Sequence, residues 1–307
     1  MGMLVYPSYY GRFSCIASRC RHSCCIGWEI DIDEDSFHRY QAETGEIGKR
    51  LRACIDTDGV PHFRLSEEER CPFLNREGLC DLILSLGEAS LCEICREHPR
   101  FYTVLSDRTE VGLGLCCEEA ARLILTEKEP TVFCVEGKSD GCDEWETELL
   151  LRRQEVFEIL QNRSRDVSFR MSALLSYADG GMPSAEAAVK LCLSLEILTD
   201  EWRSLLSRYC EADTALFSRY MASREYEYEQ VAIYLAYRYL ADALDREDFR
   251  RRCVFIVWAY CLVFSLGALT YEENGEFTLD HQIELCRLFS SEIEYNEDNL
   301  YAILDTL

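Results

Sequence analysis

The chain has 307 residues, 48% of them apolar, and a formal net charge of −24. That length and apolar content suit one large or two ordinary folded domains. The acidic balance excludes a basic surface of the size that a nucleic-acid backbone requires, and solubility is its simplest meaning. The opening MGMLVYPSYYGRFSC lacks a basic stretch running into an apolar segment and a small-residue cleavage site, so the expectation is a cytoplasmic protein with reduced thiols rather than a disulfide framework.

In chain order, residues 1–142 hold short apolar segments, scattered glycine and proline, and thirteen of the eighteen cysteines. WEIDID alternates apolar and acidic residues and reads as a short strand. FYTVL and TEVGLGL flank Ser106, Asp107 and Arg108 as a hairpin. CEEAARLIL reads as a helix, with Glu118 and Glu119 in its first turn and Ala120, Leu123 and Ile124 as its apolar stripe. From residue 143 to 307 the periodicity is helical, interrupted at Gly180–Ser184. Long amphipathic segments follow, including 184–210 and 278–294, with starting signals at Ser184 and Asp280. The stretch from Cys253 to Leu269 carries no charge and is long enough to invite a membrane reading, but a single short stretch among amphipathic helices suits the central helix of a bundle. The expected fold is therefore mainly α with a small β component: a cysteine-rich, metal-binding domain over 1–142 and a helical domain over 143–307.

The early cysteines fall into four groups: Cys15, Cys20, Cys24 and Cys25; Cys71 and Cys80; Cys92 and Cys95; Cys116 and Cys117. They exceed the needs of one four-coordinate centre, which leaves one site with spare thiols or two sites. His22 and His98 lie near them as further possible ligands, although solvated histidine is the commoner case. Cys192, Cys210, Cys253, Cys261 and Cys286 lie on helical segments and are expected to act as small apolar residues. No glycine-rich turn between a strand and a helix is present to hold a nucleotide-like cofactor, since Gly112 and Gly114 sit in the hairpin. Gly27 stands where a radical enzyme using S-adenosylmethionine would place its third clustered cysteine.

Three stretches, FSCIASRCRHSCCIGWEIDID, CPFLNREGLCDLILSLGEASLCEICREHPRF and GLGLCCEEAARLIL, resemble the signatures of the flagellin lysine N-methylases, within the wider YkgJ-like cysteine-cluster proteins. The resemblance continues through EYEYEQVAIYLAYRYL and IELCRLFSSEIEYNEDNLYAIL. It implies Cys15, Cys20, Cys24, Cys25, Cys71, Cys80, Cys95 and Cys117 as metal ligands, with Cys92 and Cys116 at positions where a non-ligating residue is expected. The chain departs from the family pattern at Glu118, where proline is usual, and at Tyr295, where many relatives have histidine.

The implied activity is methyl transfer from S-adenosylmethionine to surface lysines of flagellin or another protein. The implied cluster is iron–sulfur, 4Fe–4S ahead of zinc. Trp28, Glu29, Asp31 and Asp33 offer an aromatic wall and carboxylates for a lysine, and Arg100 offers a cation for the donor's carboxylate; an exposed acidic strand and a structural ion pair are the plainer readings of these residues. The alternatives are a non-catalytic cluster-binding module whose helical domain binds a partner, and a redox-sensing thiol protein.

Overall fold

The structure is a computed structural model describing residues 2–139, 141–210 and 212–307. In chain order its elements are β1 (Met3–Pro7), α1 (Glu34–Ala42), α2 (Gly45–Cys54), β2 (Ile55–Asp56), β3 (His62–Phe63), α3 (Asp81–Leu86), α4 (Glu93–Glu97), β4 (Arg100–Val104), β5 (Arg108–Leu113), α5 (Glu118–Leu125) and β6 (Phe133–Glu136). The remainder is helical: α6 (Glu144–Leu160), α7 (Val167–Tyr177), α8 (Ala185–Ser194), α9 (Asp200–Ser207), α10 (Thr214–Met221), α11 (Glu225–Leu240), α12 (Arg246–Asn274), α13 (Leu279–Phe289) and α14 (Glu297–Thr306). These elements form two units, one over Ser14–Arg100 and one from the rest of the chain.

In the larger unit the strands run β4-β5-β1-β6, with β1 parallel to β5 and antiparallel to β6. The expected hairpin is β4 and β5, closed by the Leu105 amide donating to the Arg108 carbonyl at 2.9 Å. The Tyr237 hydroxyl, from α11, donates to the carbonyls of Val5 at 2.9 Å and Val111 at 3.3 Å. Its ring stacks on Phe133, which stacks in turn on Phe157. The helix expected at CEEAARLIL is α5, and its apolar stripe is buried. These contacts place residues 101–139 with the helices, in the compact unit that also holds Met1–Phe13.

The uncharged stretch lies in α12, a helix long and apolar enough to cross a membrane, with a window of mean hydropathy 2.1 that is 89% buried within the protein. Helices α7, α8, α10, α11 and α13 pack around it. Asp245 caps its start, accepting from the Glu247 and Asp248 amides, and Gly275 ends it in the left-handed region at φ 73°. Segment 184–210, expected as one helix, breaks into α8 and α9 because the Glu292 carboxylate accepts the amides of Leu198 and Thr199, each at 2.8 Å. Ser184 caps α8 as expected, whereas α13 is capped by Thr278 in a capping box with His281 and not by Asp280.

The smaller unit has a core of its own, formed by Ile30, Ile32, Tyr40, Leu51, Ile55, Phe63, Cys71, Phe73, Leu74, Leu82, Leu91 and Cys92. WEIDID buries Ile30 and Ile32 as its alternation requires, but it makes one isolated bridge, Asp31 to His62, rather than a strand. Arg50 binds Asp81 at 2.6 Å and lies over the Phe73 ring, joining α2 to the start of α3.

Candidate functional site

In CPFLNREGLC the chain turns back on itself between its two cysteines. The Asn75 side chain accepts the amides of Glu77 and Leu79, Gly78 takes φ 73°, and Leu74 bridges Cys80. The Cys71 amide donates to the Cys25 carbonyl at 2.8 Å, which brings the first cysteine group alongside. Cys92 caps α4, and Cys95 lies within that helix. As a result Cys71 lies within electrostatic reach of Cys25, Cys80 and Cys92, and Cys95 within reach of Cys25, Cys71 and Cys92, which brings together thiols from three separated segments.

Backbone amides point at these sulfurs: Phe73 donates to Cys71, Leu82 and Ile83 to Cys80, and Cys95 to Cys92. Each such bond favours a thiolate. The Cys24 thiol, with Ser23 and Arg70, lowers Cys25 to about 7. The Cys95 thiol lowers Cys92 and is itself raised by that bond. Burial pushes Cys71 up to about 12, since no countercharge offsets its desolvation. A positive metal centre offsets that cost, so the donor set suits a thiolate-bound cluster in chemical type. Among the described residues no three His, Cys, Asp or Glu groups stand in the arrangement of a formed metal site.

Of the other expected ligands, Cys15 accepts from the Ala17 amide at 3.4 Å and Cys20 donates to the His22 carbonyl at 3.1 Å. Cys117 lies in the larger unit, where it caps α5. Cys92, placed at a non-ligating position by resemblance, is buried among the thiols; its CxxC spacing with Cys95 was the available signal. Cys192, Cys253 and Cys286 are buried as expected, while Cys210 is exposed. His98 is half-buried, lies tilted against Trp28 with ring centres 5.6 Å apart, and is held down to about 4 by burial.

The acidic candidates separate. Asp33 caps α1, accepting the Ser36 amide at 2.9 Å, and also accepts the Glu93 amide at 2.7 Å, so its role is structural. Arg100 donates to the Arg96 carbonyl at 3.3 Å. Trp28 and Glu29 instead line a cleft of about 330 Å³ with Gly27, His62, Arg64 and Glu69. The His62 Nδ1 is 3.4 Å from the Glu29 carboxylate there.

The larger unit holds a polar cluster that sequence reasoning missed, because its members are far apart in the chain. Ser290–Glu294 forms a π-turn, closed by the Tyr295 amide donating to the Ser290 carbonyl at 3.0 Å. That turn places Glu294 in the interior, where its Oε1 accepts from the hydroxyls of Tyr234 and Tyr239, each at 2.9 Å. Arg238 lies 3.5 Å from Glu294 and over the rings of Phe101, Tyr239 and Tyr295. The Tyr295 hydroxyl bonds the Cys116 thiol, which burial raises to about 12.

A thiol-lined small unit and a helical unit with a buried polar cluster define a cysteine-rich, mainly helical protein. Residues 186–307 match the FliB lysine N-methylase C-terminal domain. It is similar to the lysine-N-methylase of Salmonella typhimurium strain LT2, with 27% identity over 137 residues, 40% of this chain and 32% of that protein. The lysine-N-methylase of Salmonella choleraesuis is 26% identical over the same shares. The flagellar biosynthetic protein FliU of Salmonella muenchen is 26% identical over 134 residues, 40% of this chain and 77% of that protein. The chain thus spans about a third of the length of the first two relatives. No solved structure matches.

Proposed function

We propose that this chain is a protein-lysine N-methyltransferase of the cytoplasm, which uses S-adenosylmethionine to methylate surface lysines of flagellin or a similar protein and carries a cysteine-bound iron–sulfur cluster. The observation that carries the reading is the gathering of Cys25, Cys71, Cys80 and Cys95, four signature positions from three segments, in a chain whose C-terminal part matches the family. These four cysteines hold the cluster, with Cys92 beside them. The cluster supplies a redox-active centre and, through its thiolates, ties three loop segments together.

The acceptor lysine must lose its proton before its nitrogen can form a bond to the transferred methyl carbon. The cleft beside Trp28 has the residues to bind a lysine side chain of the protein substrate. Glu29 and Glu69 attract its ammonium and the indole packs along its aliphatic stem; at the transfer step the proton leaves first, and the neutral amine then forms the N–C bond as the donor's C–S bond breaks and S-adenosylhomocysteine departs.

The test is anaerobic purification with iron and sulfide analysis, then incubation with methyl-labelled donor and flagellin. Label on flagellin lysines and loss of most of it in Glu29→Gln are expected. Metal-free folded protein overturns the cluster assignment. A loaded cluster with no methyl transfer overturns the enzyme reading in favour of a non-catalytic module.

A further inference from the structure

Buried ion pairs elsewhere in the larger unit are saturated. Arg153 grips both oxygens of Glu110 at 2.6 and 2.7 Å, and both oxygens of Glu229 are taken by Arg163 and Arg170. Each charge there is matched by the fold itself, as the cost of desolvation demands. The Arg238–Glu294 pair is different. Its members stand 3.5 Å apart with no hydrogen bond between them, although the Glu294 side chain is fully buried and that of Arg238 is 13% exposed. Glu294 Oε2 is buried without a hydrogen-bond partner among the described residues. The Arg238 guanidinium spends one donor on the Tyr234 hydroxyl at 2.7 Å, which leaves other N–H groups of its fork uncommitted.

The cluster is also open at one side. Tyr295, whose ring lies 4.8 Å from the guanidinium, is 39% exposed, and Cys116 and Phe101 are half-buried. A lone cation would meet Arg238 and a lone anion would meet Glu294, so neither suits the pair. A ligand carrying both charged groups on one carbon suits it, with its carboxylate on the guanidinium and its ammonium on Oε2.

We infer that Arg238 and Glu294 form the binding site for an α-amino-carboxylate head, entered past Tyr295, and that within the lysine-methyltransferase reading this head is the methionyl end of S-adenosylmethionine. The inference rests on that reading for the identity of the ligand and on the geometry for its chemistry. Arg238 and Glu294 are binding residues here; Tyr234 and Tyr239 position the carboxylate by donating to Oε1.

Calorimetric titration of the whole chain with S-adenosylhomocysteine, 5′-methylthioadenosine and free methionine tests it, because methylthioadenosine lacks the head and methionine lacks the nucleoside. Arg238→Lys keeps the charge but loses the fork, and Glu294→Gln keeps an acceptor for both tyrosines. Either variant is expected to weaken S-adenosylhomocysteine by about tenfold or more, two charge-assisted bonds being at stake, while methylthioadenosine binding is unchanged. Thermal unfolding checks that each variant folds, and Glu294→Gln alone suffices if Arg238→Lys does not. Unchanged affinity in the folded variants, or equal weakening of both nucleosides, overturns this site and leaves the methyltransferase reading standing. Methionine binding as tightly as the homocysteine nucleoside overturns the donor assignment in favour of a free amino acid. No binding of any of the three to the wild type overturns the site and the reading together.

Discussion

The two units solve the problem of burying polar atoms in opposite ways. In the larger unit, long helices surround α12, and most buried charges are matched by the fold, as at Glu110 with Arg153. In the smaller unit the helices have ten residues or fewer, the loops are held by side-chain bonds such as those of Asn75 and Asp33, and the core is partly sulfur. Cys71 is raised to about 12 by burial with no countercharge supplied by the protein. The contrast teaches that the larger unit balances most of its buried charge with its own side chains, Glu294 Oε2 excepted, whereas the smaller unit buries thiols such as Cys71 with no countercharge beside them.

Removing a thiol is the most direct way to break that contrast. Cys80→Ala is expected to abolish iron binding and to raise amide exchange across residues 14–100 to that of an unfolded segment, while α11 and α12 stay protected. Cys210→Ala, an exposed position, is expected to leave both iron and exchange unchanged. Equal effects of the two variants would defeat the ligand assignment. The opposite intervention is Arg153→Ala, which leaves the Glu110 carboxylate buried without its partner and costs about 3–5 kcal/mol. Urea unfolding followed in each unit should show the larger unit alone weakened and the iron retained.

Much of the larger unit was legible because its signals are local. The period of CEEAARLIL, the hairpin around Ser106–Arg108 and the uncharged run of α12 each depend on neighbours in sequence. The break between α8 and α9 was not legible, because it is made by Glu292 from about a hundred residues away. The place of β1 was hidden for a similar reason: it pairs with β5 and β6, far along the chain, so residues 1–13 belong with the helices and not with the cysteine-rich segment that follows them. In the thiol group, resemblance pointed to Cys25, Cys71, Cys80 and Cys95 and set Cys92 aside, whereas its CxxC spacing with Cys95 and the packing both put it beside them. Nothing in local pattern marks Arg238 and Glu294 as partners, since the π-turn that buries Glu294 follows from tertiary contacts.

Acid sharpens the same comparison. His98 is lowered to about 4 by burial against an ordinary value near 6.5. Between those values the unfolded chain binds a proton that the folded unit refuses, so stability rises with pH across that window and is lost as pH falls from about 6.5 to about 4. The expected loss in the smaller unit is about 2 kcal/mol, since the ring is only half-buried. His98→Gln should flatten the profile between those pH values, and an NMR titration midpoint of the His98 ring near 6.5 would remove the basis for the prediction.

The smallest of these effects isolates the loop architecture from the thiols. Asp33 holds two amides at once, that of Ser36 at the start of α1 and that of Glu93 at the start of α4, and those two bonds, with burial opposing them, leave its carboxyl below the usual range. Asp33→Ala removes one cap and one cross-link between helices, a loss of about 1–2 kcal/mol. Because α4 carries Cys95 and begins beside Cys92, the variant should loosen the smaller unit before any thiol is touched. The expected result is faster amide exchange in α1 and α4 with iron still bound at equilibrium but released sooner to a chelator. Asp33→Asn, which keeps one acceptor oxygen where two are used, should restore one of the two bonds and only part of the protection. If both variants lose iron outright, Asp33 belongs to the metal chemistry and not to the scaffold.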